Sequence, residues 1–172
     1  MNNKMFQYLK AASVGIGGSL VMFILMVIGI KVTGIAPFDI PPSAAFLEKL
    51  GLHVGPLPLI VHFGYGAFWS MVFYALFQDE MSFYWGIMLA LGLWLFMMIV
   101  YSPIIGWGFF GFGGADYAES SKLYLEPGPK YLIATLVLHL IYGSILGFFN
   151  PLWIDTSEPA TRENTSSQNV SV

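Results

Sequence analysis

The chain has 172 residues, 56% hydrophobic and 10% charged, with a mean hydropathy of +0.70. A soluble domain carries about 25% charged residues, so this composition belongs to the membrane class. The absence of cysteine excludes disulfides and thiolate chemistry. A net charge of −3, spread over short loops and tails, implies no nucleic-acid binding and no polybasic grip on anionic lipid.

Acidic and basic side chains are missing between Lys10 and Lys31, Lys49 and Asp79, Glu80 and Asp116, and Lys130 and Asp155. A helix needs roughly 20 apolar residues to cross the hydrocarbon core. The four gaps therefore predict an all-α membrane protein, a bundle of transmembrane helices near 11–33, 57–77, 83–105 and 130–150. The first run follows Lys4 and Lys10 as a signal peptide would. It exceeds the usual apolar length of about 7–15 residues, and residues 32–36 make a poor cleavage site, so it is expected to persist as the first helix.

Residues 34–58 hold Pro37, Pro41, Pro42, Pro56 and Pro58, with an apolar patch at Ala44-Ala45-Phe46-Leu47 expected to form a short interfacial helix. The brief joint Gln78-Asp79-Glu80-Met81-Ser82 predicts antiparallel neighbours in helices two and three. Pro103 is expected to bend or end the third helix. Residues 106–114 alternate Gly with Trp107, Phe109, Phe110 and Phe112, which suits an irregular segment packed on the bundle. Trp85, Trp107, Trp153 and Tyr84 fall near helix ends, as an aromatic belt requires. Residues 1–154 thus form the membrane domain, and the polar, aperiodic 155–172 reads as a disordered tail. Four spans put both termini on one side. The count of basic residues does not choose the side, and a cytoplasmic location is the expectation.

Setting residues 11–76 against 88–153 without a gap gives eleven identities. They include Gly15, Gly29, Gly34 and Gly51 against Gly92, Gly106, Gly111 and Gly128, and Asp39 against Asp116. Each half would be a helix, a long loop and a second helix. Two crossings return the chain to its starting side, so the repeats would be parallel, related by an axis along the membrane normal.

Within that alignment His62-Phe63-Gly64-Tyr65-Gly66 meets His139-Leu140-Ile141-Tyr142-Gly143, 77 residues on. A titratable ring placed in lipid is costly and marks a functional-site candidate. His62, Gly66 and Ser70 share a helix face, as do His139, Gly143 and Gly147. Small residues one turn apart mark close helix approach. The histidines are therefore expected to point into the bundle, with Tyr65 and Tyr142 near enough to hydrogen-bond to them. Gly15, Ser19 and Gly92 would oppose them, and His53 would stay outside in the loop.

Several roles fit these residues. Each ring can act as polar glue between helices. His62 and His139 can ligate a haem, with Tyr65 and Tyr142 beside it. His62, His139, Asp39 and Asp116 can hold a divalent metal. Imidazole can also relay protons. The scattered methionines form no cluster and give no copper site. No nucleophile elbow, phosphate loop or zinc-protease motif is present. A non-enzymatic bundle or accessory subunit, partnering itself or another membrane protein in the bilayer, is the first expectation. A haem- or metal-binding redox protein is the alternative.

The duplicated His-x-x-Tyr-Gly helices and the Pro/Gly-rich loops resemble small four-helix bacterial integral membrane proteins catalogued as domains of unknown function. The resemblance covers about residues 11–153. It implies the fold and a bacterial inner-membrane location, and no activity.

Overall fold

A computed structural model of the protein describes residues 3–52, 55–113 and 117–154. His53, Asp116 and residues 155–172 lie outside the described residues, together with the expectations attached to them. Four helices are long and apolar enough to cross a membrane: Lys4–Thr33, Leu57–Glu80, Phe83–Ile105 and Lys130–Trp153. The first is α1 (Asn3–Val27), continued by a π-helical turn (Ile28–Thr33). A short α2 (Pro42–Lys49) precedes α3 (Leu57–Phe77). The third span is α4 (Phe83–Phe96), a π turn (Met97–Tyr101) and α5 (Ser102–Ile105). The fourth is α6 (Lys130–Trp153). No strand occurs among the described residues.

Two boundaries differ from the predicted ones. α1 starts at Asn3, ahead of the predicted residue 11, because lysines do not stop a helix whose end reaches a polar zone. Lys10 donates from Nζ to the Trp153 carbonyl at 3.0 Å, tying α1 to the end of α6. α6 itself runs through Pro151 to Trp153. Pro103 acts as expected, by a specific route. Its ring crowds the carbonyl one turn back and it lacks an N–H. The helix widens into the π turn just before it, and Ser102 Oγ donates to the Met97 carbonyl at 3.0 Å. One more turn follows, ending at Gly106 with φ 99°, a left-handed conformation that glycine adopts freely.

Lipid tails are as apolar as leucine, so helices in a bilayer associate through close packing and polar contacts. Here α1 packs on α3, α4 on α6, and α1 on α6, leaving α3 and α4 at the two edges. The expected neighbourhood of helices two and three is therefore corrected. Phe77 stacks on Trp85 at 4.7 Å beside the short joint, but the two helices make few further contacts.

The α1–α3 contact is backbone to backbone. A Cβ built on Gly15 would meet the Gly66 carbonyl and the Ser70 side chain, and one on Gly66 would meet Ser19. The α4–α6 pair repeats this. A Cβ on Gly86 would strike the Gly143 carbonyl and Gly147, and one on Gly143 would strike Gly86 and Ala90. Gly92, expected on this face, has open space around its Cβ position. The ungapped alignment pairs Gly15 with Gly92, whereas the packing pairs it with Gly86, six residues earlier. The alignment keeps its register in the second helix of each half and loses it in the first.

The two long loops form a packed cap at one end of the bundle. Glu126 N donates to the Pro37 carbonyl at 2.8 Å, beside an isolated bridge between Phe38 and Leu125. Trp107 is fully buried there. Its indole donates to the Leu123 carbonyl at 2.8 Å, and its ring stacks on Phe38. It belongs to the cap core and not to the aromatic belt, unlike the exposed Tyr84 and Trp153. α2 buries Ala45 and Leu47.

Reporter fusions placed ahead of Lys4 and after Ile154 should report the same side of the membrane, and opposite sides would mean a miscounted span. Gly66→Leu and Gly143→Leu should each destabilise the bundle by roughly 1–3 kcal/mol through overpacking. Gly92→Ala, made in open space, should be neutral or slightly stabilising. Detergent-unfolding midpoints of the three variants measure the difference.

Candidate functional site

The closeness of α1 and α3 brings a histidine to a carbonyl. The helices run antiparallel, so one turn beyond the Gly15–Gly66 contact Ser19 faces His62. Nε2 of His62 lies 2.9 Å from the Ser19 carbonyl. A carbonyl only accepts, so Nε2 carries the proton and Nδ1 is left without a hydrogen-bond partner among the described residues. In the other pair the ring turns toward its own helix. Nδ1 of His139 lies 2.8 Å from the Thr135 carbonyl, four residues back, which places the proton on Nδ1 and leaves Nε2 unpartnered. His139 is 8% exposed, and His62 is half-buried.

Both rings line one cavity of about 320 Å³. Its walls come from all four spans: Ser19, Met22 and Met26 of α1, Val61, His62, Tyr65 and Gly66 of α3, Leu93, Phe96, Met97 and Tyr101 of the third span, and Thr135, Leu138, His139 and Tyr142 of α6. Pro42, Ser43 and Phe46 of α2 close one side, with Phe46 stacked on Tyr101 at 4.7 Å. Val61, Tyr65 and Phe96 are exposed as well as lining, so the cavity opens between α3 and α4, where those helices part. A shallower apolar groove lined by Trp69, Trp85, Met88 and Gly92 continues along the same gap.

The lining is mostly carbon, and most of its hydroxyl protons are committed. Ser19 donates to the Gly15 carbonyl at 2.8 Å and Thr135 to the Tyr131 carbonyl at 2.7 Å. Tyr101 donates to the Pro42 carbonyl at 3.3 Å and Tyr142 to the Gly66 carbonyl at 2.6 Å. No carboxylate lines the cavity among the described residues. An imidazole without a counter-ion in apolar surroundings is neutral, so each unpartnered ring nitrogen offers a lone pair.

The expected tyrosine–histidine bonds do not form. Tyr142, 3% exposed, lies across α1 where Gly18 makes room for its ring, and reaches the backbone of α3. Tyr65, 45% exposed, stands at the cavity mouth with its ring against Trp69. One sequence motif thus gives two environments, because α6 lies against α1 while α3 lies at the edge of the bundle. Gly66, Ser70, Gly143 and Gly147 are all buried on the packing faces described above. Asn150 Nδ2 donates to Ser70 Oγ at 3.2 Å, adding a polar tie between α6 and α3.

The divalent-metal set is not assembled among the described residues. Asp39 is exposed in the cap, Asp116 is outside the described residues, and no three of His, Asp and Glu come together. Sequence reasoning missed the role of α2 as a wall, and the Ser19 and Thr135 carbonyls as partners of the rings. Thr135 had a readable signal, since it precedes His139 by one helical turn. Comparison with known proteins gave no match to a family model, a curated protein or a solved structure.

Tyr142→Phe should lower the stability of the bundle by about 0.5–1.5 kcal/mol, the net worth of one hydrogen bond. Tyr65→Phe should leave it unchanged. A Tyr142→Phe midpoint equal to that of the unaltered protein would mean that the Tyr142–Gly66 contact contributes nothing.

Proposed function

We propose that the protein is a non-enzymatic integral membrane protein whose bundle binds an apolar, membrane-soluble ligand in the histidine cavity, alone or as an accessory subunit of a membrane complex. The observation that carries this reading is the common cavity. Two histidines from opposite helix pairs face one apolar space with a mouth toward lipid. Its volume falls at the low end of the range of small-molecule sites, about 300–1,000 Å³. Among the described residues the walls carry no activated nucleophile or acid–base pair, and their mostly apolar lining favours binding over catalysis. The twin glycine contacts support descent from a duplicated two-helix unit. The family resemblance supports a bacterial inner membrane, and the even number of spans supports termini that share one side, which we take to be the cytoplasmic one.

A haem reading stands second, on one observation. Nδ1 of His139 is held by a carbonyl while Nε2 is unpartnered, the arrangement that orients a histidine as an axial ligand. An optical spectrum of the purified protein separates the two. A Soret band establishes haem, and a featureless visible spectrum removes it.

Binding itself is measured by equilibrium dialysis of 1,4-dimethoxy-2-decylbenzene against lipid nanodiscs with and without the protein. Saturable uptake of about one probe per chain is expected. Val61→Trp, which fills the cavity mouth, should abolish it. Uptake no greater than that of empty nanodiscs, both for this ether and for its parent hydroquinone, would refute the binding reading.

A further inference from the structure

The hydrogen-bonding character of the cavity is one-sided. Nδ1 of His62 and Nε2 of His139 each offer a lone pair, while their ring protons are held by the Ser19 and Thr135 carbonyls. The hydroxyls of Ser19, Thr135, Tyr101 and Tyr142 have likewise given their protons to backbone carbonyls. Ser43 on α2 and Tyr65 at the mouth are the lining hydroxyls outside that pattern. The interior therefore accepts hydrogen bonds and scarcely donates them. An acceptor kept from water without a donor is costly, and lipid chains cannot supply one.

Resting on the binding reading above, we propose that the cavity is a site for a membrane-soluble phenol, an alkylated phenol or hydroquinone, whose hydroxyl hydrogen-bonds to a histidine lone pair. Three features of the cavity select this chemistry. The unpartnered ring nitrogens, as acceptors, call for a donor. Aromatic walls, including the stacked Phe46–Tyr101 pair, favour a flat ring in offset or edge contact. A volume of about 320 Å³ accommodates one substituted ring, and the mouth between α3 and α4 lets an alkyl tail run out into lipid. A quinone is disfavoured, because its carbonyl oxygens are acceptors and would face acceptors. The tautomers cannot reverse to suit it without leaving the Ser19 and Thr135 carbonyls facing lone pairs.

The same nanodisc dialysis tests this with four probes: 2-decylhydroquinone, its dimethyl ether, 2-decylbenzoquinone and 1-decanol. The hydroquinone should bind about tenfold more tightly than the ether, the worth of one hydrogen bond to an otherwise unpaired acceptor. The quinone should bind no better than the ether. Weaker binding by 1-decanol places the preference on a phenol; binding by 1-decanol equal to the hydroquinone would overturn the aromatic part of the assignment. His139→Phe and His62→Phe should each reduce the hydroquinone margin, and at least one should erase it. Should a variant fail to fold, the hydroquinone-to-ether ratio of the unaltered protein still decides. Equal binding of hydroquinone and ether overturns the proposal while leaving the cavity a binding site. Absence of saturable uptake of every probe overturns the binding reading itself.

Discussion

Where Gly15 meets the carbonyl of Gly66, two helix backbones touch with no side chain between them. Much of the remaining geometry depends on that contact. Lipid offers apolar side chains as good an environment as another helix does, so association must come from dispersion at short range and from polar groups that only a close neighbour can satisfy. Glycine and serine provide both. They let the backbones approach, and the approach brings the Ser19 carbonyl within reach of His62. The same economy recurs at Gly86 and Gly143. Two hairpins result, and Tyr142 fastens one to the other through the Gly66 carbonyl.

The cavity is the counterpart of that tight packing. α1 is held against α3 on one flank and against α6 on the other, which leaves α3 and α4 apart despite the short joint between them. The π turn at Met97–Tyr101 widens the third span just where Met97 and Tyr101 face the gap. Such turns often accompany functional sites, and here the cause is local: the proline at position 103 cannot continue a regular ladder. α2 then roofs the space with Phe46. Most of the polar hydrogens within it are donated to backbone carbonyls, which fixes the ring tautomers without any charged group and leaves one lone pair on each imidazole.

The four spans were legible because the absence of charge over 20 residues is a one-dimensional signal. The bounds of α3, Leu57–Phe77, could be read off to the residue. The faces of α3 and α6 were legible too, since small residues at a spacing of four announce close approach. The partner faces were less so. Gly92 was as good a candidate as Gly86 by composition, and only the true crossing point of α4 and α6 distinguishes them. The tyrosines were misjudged for a related reason. Identical local motifs lead to different contacts when one helix is central and the other lies at an edge, and position in the bundle is not written in a motif. The burial of Trp107 needed a knowledge of the cap, where residues far apart in sequence, Phe38 and Leu125, close over it.

The placement of Tyr142 also bears on biosynthesis. A chain emerges from its N-terminal end, and the first hairpin contains both members of its own glycine contact. It can close before α4 and α6 have been made. Once closed, it presents the shallow seat at Gly18 and the Gly66 carbonyl beyond it, features of a finished surface rather than of either helix alone. The second hairpin arrives with Tyr142 already on its packing face. In that order of assembly the first half would be the template on which the second half is laid, and the cavity, walled by all four spans, would exist only after that last docking.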